Sequence, residues 1–204
     1  MIPIPNFIKL FSSTFSQQVN LQPWEITKNL PDILLQIITG LGDEYTITDG
    51  VAIHRTATVE QGAVLKAPII ISENCFVGAN AYLRGGVYLG KAASVGPGCE
   101  IKTSIIFDNT HLAHFNFLGD SLIGSNVNFE AGAITANHFN ERADKTITVL
   151  YNSTVINTGC VKFGALVGDS CKIGANAVLS PGTIFIPDSV VKRLELVEQI
   201  ASDE

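Results

Sequence analysis

Apolar residues recur at every sixth position along most of this chain. The series begins at Ile53 and ends at Phe185. Its members are Ile53, Val59, Leu65, Ile71, Val77, Leu83, Leu89, Val95, Ile101, Phe107, Phe117, Ile123, Phe129, Val167, Ile173, Leu179 and Phe185. A small or apolar residue stands four positions after most of them, and glycine often follows the apolar position directly.

A period of six fits neither an α-helix, whose period is about 3.6, nor an alternating strand, whose period is about 2. Turn-forming residues inside each unit indicate a hexapeptide β-helix, in which each unit is a short strand plus a turn and three units complete a coil. The large residue that opens a unit and the small residue four positions later then point inward. The pattern predicts an all-β fold built on a parallel β-helix over residues 51–190.

Segments outside the repeat carry helical signals. Residues 1–50 predict a first helix over 6–17, a second that begins at Pro23, and a helix with Pro31 in its first turn. We expect this small α-helical segment to cap the open end of the β-helix, because a solenoid must cover its terminal apolar surface. Residues 191–204 predict a short C-terminal helix.

The repeat is interrupted twice. The spacing between Phe107 and Phe117 is ten, which predicts a register slip of four residues. Residues 137–145 predict an exposed loop, and residues 146–163 predict two strands that either pair as a hairpin or continue the coil. Interruptions of a solenoid usually lie on one face, which is often the binding face.

Composition excludes several classes of function. The chain has 204 residues, of which 46% are hydrophobic, so it can bury a sizeable core. A net charge of −6 without a long Lys/Arg cluster argues against a nucleic-acid partner. The sequence shows neither a signal peptide nor an apolar run of about 18 residues, so we expect no membrane partner and a cytoplasmic location.

The cysteines predict buried thiols. Cys75, Cys99 and Cys171 fall on the small inward position of the repeat, where cysteine acts as a small hydrophobe. No CxxC pair supplies the spacing of zinc ligands. We therefore expect neither disulfides nor a metal site at these three residues, while Cys160 lies outside the repeat and stays unassigned.

Polar residues gather around the first interruption. His114 lies within it, and Arg84, Lys102 and Asn128 lie in the flanking repeats. Arg84 and Lys102 are 18 residues apart, which is one coil of three hexads, so their side chains are predicted to stack on adjacent coils. Because both directly follow an inward apolar residue, they should point outward. The pair predicts an anion cradle that a neighbouring subunit could close.

The stretch from residue 83 to residue 137 resembles the acetyltransferase domain of the bifunctional N-acetylglucosamine-1-phosphate uridylyltransferase and glucosamine-1-phosphate N-acetyltransferase family. It is also similar to the carboxy-terminal domains of related archaeal sugar-1-phosphate enzymes. The similarity covers about residues 59–190, and the block from HFNFLGD to GAITAN is its most distinctive part. Residues 1–50 do not resemble the nucleotidyltransferase domain of that family. The resemblance implies a left-handed β-helix. We also predict a homotrimer, because a triangular prism presents three flat faces and the outward ligands of one coil need a neighbouring copy to close a pocket.

Site residues follow from the same resemblance, position by position. His114 matches the catalytic base, and Glu100 matches the carboxylate that orients it. The other matches are Arg84 and Lys102 as sugar-phosphate ligands, Asn128 as a substrate contact, Asn137 as the asparagine beside the acceptor amine, Lys145 as a further lysine if a two-residue insertion is allowed, and Ala131 and Ala175 as backbone sites for acetyl-CoA. Two positions depart from the family, because Phe117 and His138 each replace a tyrosine.

The resemblance implies an N-acetyltransferase that moves an acetyl group from acetyl-CoA to the amine of an amino-sugar 1-phosphate, in amino-sugar and nucleotide-sugar biosynthesis, without a metal. A catalytically silent trimer that binds a sugar phosphate or serves as a scaffold is the main alternative. A zinc lyase of the γ-carbonic anhydrase type is disfavoured, because the four histidines lack the required spacing. Those histidines are His54, His111, His114 and His138.

Overall fold

The computed structural model describes residues 1–200, and the chain from Val51 onward forms a β-helix with three faces. Face 1 is a seven-stranded sheet made of Thr58–Val59, Phe76–Val77, Ser94–Val95, His111–Leu112, Asn128–Phe129, Lys172–Ile173 and Val190–Val191. Face 2 consists of Val64–Leu65, the first parts of Tyr82–Leu89 and Glu100–Ile106, Phe117–Gly119, Ile134–Thr135, Val178–Leu179 and Leu196–Val197. Face 3 consists of Val51–His54, Ile69–Ile71, the second parts of the two long strands, Leu122–Ile123, Ala165–Val167 and Thr183–Phe185. Strands on adjacent coils pair in parallel, so the predicted hexapeptide β-helix is confirmed.

The inner core follows the predicted hexad except in its middle coils. Ile106 and Leu118 are fully buried inside the prism, where the repeat predicts Phe107 and Phe117. Phe107 is buried instead in a second core outside the prism, and Phe117 is a half-buried outward residue of face 2. The inward assignment of these two phenylalanines is therefore wrong.

Two shortened corners explain this change of register. Thr103 (φ 49°) and Asp120 (φ 47°) turn the chain from face 2 to face 3 in the left-handed region. The preceding coil uses the glycine pair Gly85 and Gly86 for the same corner, and the strand register shifts by one residue there. The predicted slip of four residues after Phe107 is thus two separate one-residue deletions, each at a corner between faces 2 and 3.

The amino-terminal segment is helical, but its helices differ from the predicted ones. They are the 3₁₀ turns Ile4–Asn6 and Ser16–Gln18 and the α-helices Phe11–Thr14 and Pro23–Ile38. The predicted helix over 6–17 is broken into short turns, and the two helices predicted from Pro23 and Pro31 form one helix with Pro31 inside. That helix begins with Pro23 in its first turn and a capping box, in which the Gln22 N–H donates to the Glu25 carboxylate at 2.7 Å. Among residues 1–200, no helix is long and apolar enough to cross a membrane.

This segment covers face 3, not the open end of the β-helix that we predicted it would cap. The reason is that face 3 is apolar on its outer side as well. Its outward column is Ala52, Ile70, Tyr88, Ile105, Leu122, Leu166 and Ile184. These residues share the second core with the amino-terminal helices, where the Phe15 and Tyr88 ring centroids are 5.2 Å apart. At the first coil, Tyr45–Thr48 adds an antiparallel strand to Val51–His54.

The second interruption is inserted at the corner between faces 2 and 3. Within it, Thr148–Tyr151 and Thr154–Asn157 pair as an antiparallel hairpin, which is one of the two predicted arrangements. Ile147 and Phe163 are fully buried in the second core. The insertion therefore packs on the face 3 side of the β-helix, where the amino-terminal segment also packs.

The C-terminal tail continues the β-helix, so the predicted C-terminal helix is wrong. Val190–Val191 and Leu196–Val197 pair in parallel with the strands of the preceding coil. The Gln199 side chain accepts a hydrogen bond from the Ile184 N–H and donates one to its carbonyl, both at 2.7 Å. The apolar residues here fit the six-residue period as well as a helical one, and strand pairing with the preceding coil favours the six-residue period. Residues 201–204 of the predicted helix lie outside the described part of the chain.

The predicted burial of three cysteine thiols is confirmed, and it leads to a labelling experiment. Cys75, Cys99 and Cys171 are free and buried, and burial raises the pKa of the Cys75 and Cys171 thiols to about 11. Because the thiolate is the reactive form, we expect a maleimide to label the half-buried Cys160 first and the other three only slowly. Peptide mapping by mass spectrometry of the native protein measures this order. Equally fast labelling of all four thiols would contradict the inward assignment.

An ion pair that spans the last three coils predicts acid sensitivity. Both guanidinium contacts from Arg193 to Glu130 are short, at 2.7 and 2.8 Å, and with the Ala175 N–H they lower the pKa of Glu130 to about 2. A lowered folded-state pKa stabilises the fold above the ordinary carboxyl pKa, and this stability is lost as the pH falls toward 2. We expect Arg193→Gln to flatten the decline of thermal stability between about pH 4.5 and 2. The melting temperatures of wild type and Arg193→Gln are measured by circular dichroism at several pH values. If both fall equally steeply between about pH 4.5 and 2, the prediction is refuted.

Candidate functional site

Face 2 presents two columns of outward side chains. The first column contains Tyr82, Glu100, Phe117 and Ile134, and the second contains Arg84, Lys102 and Gly119. Arg84 lies directly beside Lys102 in the strand register, so the predicted stacking on adjacent coils is confirmed.

Arg84 is engaged by Glu100. Arg84 Nε donates to Glu100 Oε1 at 2.8 Å, and a terminal guanidinium nitrogen lies 2.7 Å from the same oxygen. Both side chains are a little over one-third exposed. By resemblance, Glu100 should orient His114, but no hydrogen bond joins these two residues anywhere in the described chain. In this structure the carboxylate instead neutralises one half of the predicted anion cradle.

Asp120, which we did not single out from the sequence, is the centre of a buried polar network. Lys102 Nζ donates to Asp120 Oδ2 at 2.6 Å, and Asn137 Nδ2 donates to the same oxygen. The Lys102 and Asp120 side chains are only 16% and 9% exposed. Asn137 Oδ1 in turn lies 3.4 Å from His138 Nδ1. The structure thus brings together three predicted residues, Lys102, Asn137 and His138, around a fourth.

The local backbone explains why this network forms. A Cβ atom at Gly119 would lie 2.7 Å from the carboxamide carbon of Asn137, so only glycine leaves room for that side chain. The Phe163 N–H donates to the Asn137 carbonyl at 3.0 Å, and the Gly164 N–H donates to the Asp120 carbonyl at 2.9 Å. Both ends of the insertion are thereby tied to this corner. Asp120 follows Lys102 by 18 residues, which is the length of one coil of three hexads. The same spacing that predicts the Arg84–Lys102 stack therefore also predicts that Asp120 lies beside Lys102.

His114 lies at the other edge of face 2, at the corner with face 1. Its side chain is exposed, and its carbonyl accepts a hydrogen bond from the Gly132 N–H at 2.9 Å. The next coils place Ala131 and Ala175 at the same corner, since the Asn176 N–H donates to the Ala131 carbonyl at 3.0 Å. The Ala175 N–H donates to Glu130 at 2.9 Å. The predicted base and the two predicted acetyl-CoA positions therefore share one corner.

Two predicted residues lie away from this surface. Asn128 is an exposed residue of face 1, in register with His111 and Lys172, and it lines a groove of about 650 Å³. Lys145 is exposed in the insertion, and no hydrogen bond or ion pair in the described chain connects it to Asp120. Neither residue joins the face 2 network within a single chain.

No metal centre is formed by the residues that the structure describes. Across positions 1–200, no three or more His, Cys, Asp or Glu side chains converge on a point where an ion could be held.

Sequence comparison assigns the family. A family model described as the GMPPB C-terminal domain matches residues 47–161, and a second, described as the hexapeptide repeat of succinyl-transferase, matches residues 156–181. A relative named "Bifunctional protein GlmU" from Methanococcus vannielii is 34% identical over 183 residues, which cover 87% of this chain and 43% of the relative. The "Bifunctional sugar-1-phosphate nucleotidylyltransferase/acetyltransferase" of Sulfurisphaera tokodaii is 30% identical over 184 residues, covering 84% and 45%.

Among solved structures, the acetyltransferase domain of PglB from Neisseria gonorrhoeae in complex with acetyl coenzyme A aligns with 20% identity and a TM-score of 0.41. This alignment covers 70% of this chain and 54% of that domain. The chain spans less than half the length of the two curated relatives above. The resemblance predicted from the sequence is confirmed, and the chain belongs to the hexapeptide-repeat family described by the GMPPB C-terminal domain.

Proposed function

We propose that the protein is an acetyl-CoA-dependent N-acetyltransferase whose acceptor is the amine of an amino-sugar 1-phosphate. The observation that carries this proposal is the alignment of more than four-fifths of the chain with relatives named "Bifunctional protein GlmU" and "Bifunctional sugar-1-phosphate nucleotidylyltransferase/acetyltransferase". The arrangement of face 2 supports it, because an exposed histidine at one edge and a buried polar network at the other border one surface.

His114 is the base in this proposal. The acceptor nitrogen attacks the thioester carbonyl of acetyl-CoA, so a C–N bond forms as the C–S bond breaks. His114 accepts the proton that the nitrogen loses and returns it to the departing CoA sulfur. Such general-base assistance contributes on the order of 10²–10⁴ in rate. Backbone N–H groups at the Ala131 corner would bind the carbonyl oxygen as it gains charge.

The acceptor would lie across face 2, from His114 toward the Asp120 network. A strand rises about 3.3 Å per residue, so the two corners are on the order of 15 Å apart. Phe117 lies between them as a half-buried ring that offers apolar contact and no hydroxyl. Lys102 and Asn137 are held by Asp120 at the far edge, where they can fix the position of a polar sugar.

The position of Asn128 supports a homotrimer. Asn128 is matched to a substrate contact, yet it lies on face 1 and cannot reach the face 2 surface of its own chain. A neighbouring copy that packs its face 1 against this face 2 would supply it, and a closed three-fold ring is the arrangement that completes every site. Light scattering should give the mass of a trimer. A monomer at micromolar concentration would contradict the shared site.

A thiol-release assay tests the activity. Free CoA is measured with acetyl-CoA and a panel of amino sugars and their 1-phosphates. We expect release that depends on the acceptor, and faster release with a 1-phosphate than with the free sugar. If no acceptor causes CoA release while a sugar phosphate still binds, the enzyme proposal is refuted, and the protein is instead a catalytically silent binder of sugar phosphates.

A further inference from the structure

The corner between faces 1 and 2 carries one residue from each coil in a single column. Backbone hydrogen bonds between coils fix this register, because the N–H that follows each corner residue donates to the carbonyl of the preceding corner residue at 2.9–3.0 Å. Four successive members of the column are His114, Ala131, Ala175 and Arg193. The predicted base and Arg193 are thus three coils apart, which is about 14 Å at about 4.8 Å per coil.

The two predicted acetyl-CoA positions in this column differ in their hydrogen bonding. The Ala131 N–H has no hydrogen-bond partner among residues 1–200, so it is open to a ligand. The Ala175 N–H donates instead to Glu130 Oε2 at 2.9 Å. A backbone donor that the proposed cofactor would use is therefore already occupied by a side chain of the protein itself.

Arg193 holds Glu130 in this position. Arg193 Nε donates to the same Glu130 Oε2 at 2.7 Å, and Arg193 Nη2 donates to Oε1 at 2.8 Å, so the pair is bidentate. The side chains of Arg193 and Glu130 are 73% and 36% exposed, so a ligand from solvent reaches both. Ion pairs this exposed contribute little stability, and another anion can therefore replace the carboxylate.

The surroundings of this pair suit an anionic ligand. Arg193 and Glu130 line the groove of about 650 Å³ on face 1, together with Lys172 and Lys192. Among the described residues that line it, Glu130 is the one carboxylate. About 13 bonds join the sulfur of CoA to the nearest phosphorus, and an extended chain spans about 3.5 Å per three bonds. A pantetheine arm that starts at His114 and follows the corner therefore places its phosphate about 15 Å away, beside Arg193.

We propose that Glu130 and Arg193 form a latch that acetyl-CoA opens, an inference that rests on the proposed function for the identity of this ligand. In the free protein, Glu130 occupies both the Ala175 N–H and the Arg193 guanidinium. In the complex, the cofactor's phosphate takes the guanidinium, Glu130 turns away, and the Ala175 N–H donates to the pantetheine arm. Arg193 is then a ligand of the cofactor, and Glu130 lowers the affinity for the cofactor by competing with it.

Calorimetric titration with CoA measures the latch without requiring acetyl transfer. A latch closed in about nine free molecules of ten raises the apparent dissociation constant about tenfold, so Glu130→Ala should tighten CoA binding by that factor. Arg193→Gln alone should change the affinity little, because it removes the latch and the phosphate ligand together. In the Glu130→Ala background, where the guanidinium is free for the phosphate, Arg193→Gln should weaken binding about tenfold. Circular dichroism at neutral pH shows whether each variant is folded.

Two other carboxylates provide matched controls. Glu60 accepts a hydrogen bond at 2.7 Å from a backbone N–H of the same corner, two coils before His114. Glu60→Ala therefore removes a similar contact away from the path of the cofactor. Glu195 accepts one from the Lys192 N–H at 2.7 Å, so Glu195→Ala removes a negative charge from the coil of Arg193 and leaves the latch in place. Neither control variant should show the tenfold gain in CoA affinity.

The latch is overturned if Glu130→Ala binds CoA no tighter than wild type, or if Glu195→Ala gives an equal gain. It is also overturned if Arg193→Gln weakens binding equally in both backgrounds. Equal CoA affinity of wild type and Glu130→Ala, together with acceptor-dependent CoA release, would refute the latch and leave the acetyltransferase intact. The expected affinities without acetyl transfer to any acceptor would refute the acetyltransferase and leave the latch as part of a CoA-binding site.

Discussion

Replacing His114 with alanine should lower the rate of acetyl transfer about a hundredfold, which corresponds to about 2.7 kcal/mol of transition-state stabilisation. The loss is expected because an unassisted amine must shed its proton to water as it attacks the thioester. The imidazole is exposed at a corner of the β-helix, so its removal should leave the fold unchanged. The affinity for acetyl-CoA should also change little, because the expected contacts at Ala131 and Ala175 are backbone groups.

His111→Ala is the matched control for this variant. His111 is exposed three residues away, but it lies on face 1 in register with Asn128. In steady-state assays with acetyl-CoA, His114→Ala should lower kcat and kcat/KM together, whereas His111→Ala should not show the hundredfold loss in kcat. Equal rates for wild type and His114→Ala would remove the histidine from the mechanism.

Replacing Asp120 with alanine should cost about 3 kcal/mol of folding stability, at the lower end of the range for breaking a buried ion pair. The variant leaves the Lys102 ammonium group without its carboxylate partner, on a side chain that is 16% exposed. It also removes the acceptor of the Asn137 hydrogen bond. The cost stays near the lower end because the lysine can turn toward solvent. Urea denaturation monitored by circular dichroism measures the change.

Two further variants show whether the buried charge causes this loss. Lys102→Met combined with Asp120→Ala should recover part of the stability, because no unpaired charge remains inside. Glu73→Ala breaks the exposed Lys91–Glu73 pair, whose side chains are 56% and 41% exposed, and should change stability little. If Asp120→Ala lowered folding stability no more than Glu73→Ala does, the Asp120 network would not be stabilising the corner between faces 2 and 3.

Much of the fold could be predicted from the hexad, because inward positions of a narrow prism accept only residues of fitting size. The hexad predicted the wrong inward residues where the length of a corner changes the register of the strands. Phe107 continues the hexad in spacing, yet two one-residue corners, at Thr103 and Asp120, shift the register around it. The two-residue corner is marked by the pair Gly85 and Gly86, whereas no glycine marks the one-residue corners at Thr103 and Asp120.

The terminal segments were harder to predict for different reasons. The helical signals of residues 1–50 are local, but the place of these helices on face 3 depends on outward apolar residues such as Ile70 and Leu122, which lie outside the hexad series. At the other end, the apolar residues around Val190 and Leu196 fit both a helix and a coil, and pairing with the strands of the preceding coil decides between them.

The candidate site was predicted in part. Arg84 and Lys102 stack as their spacing predicts, because a coil returns to the same place after three units. Their carboxylate partners weaken the prediction of an anion-binding site. Glu100 pairs with Arg84 and Asp120 pairs with Lys102, so the two cations have little net positive charge left for a ligand. The helix Pro23–Ile38 and the end of the insertion line one cavity although they are more than 100 residues apart in the chain, and no periodic signal in the sequence predicts that they meet.

Identification of the product tests the central proposal most directly. The wild-type protein is incubated with acetyl-CoA and glucosamine 1-phosphate, and the sugar is analysed by mass spectrometry and NMR, with His114→Ala in parallel. The proposal predicts a sugar phosphate that carries one acetyl group on its nitrogen, formed by wild type and about a hundredfold more slowly by the variant. An unmodified acceptor after prolonged incubation with the wild-type protein, for this and every other amino sugar tested, would contradict it.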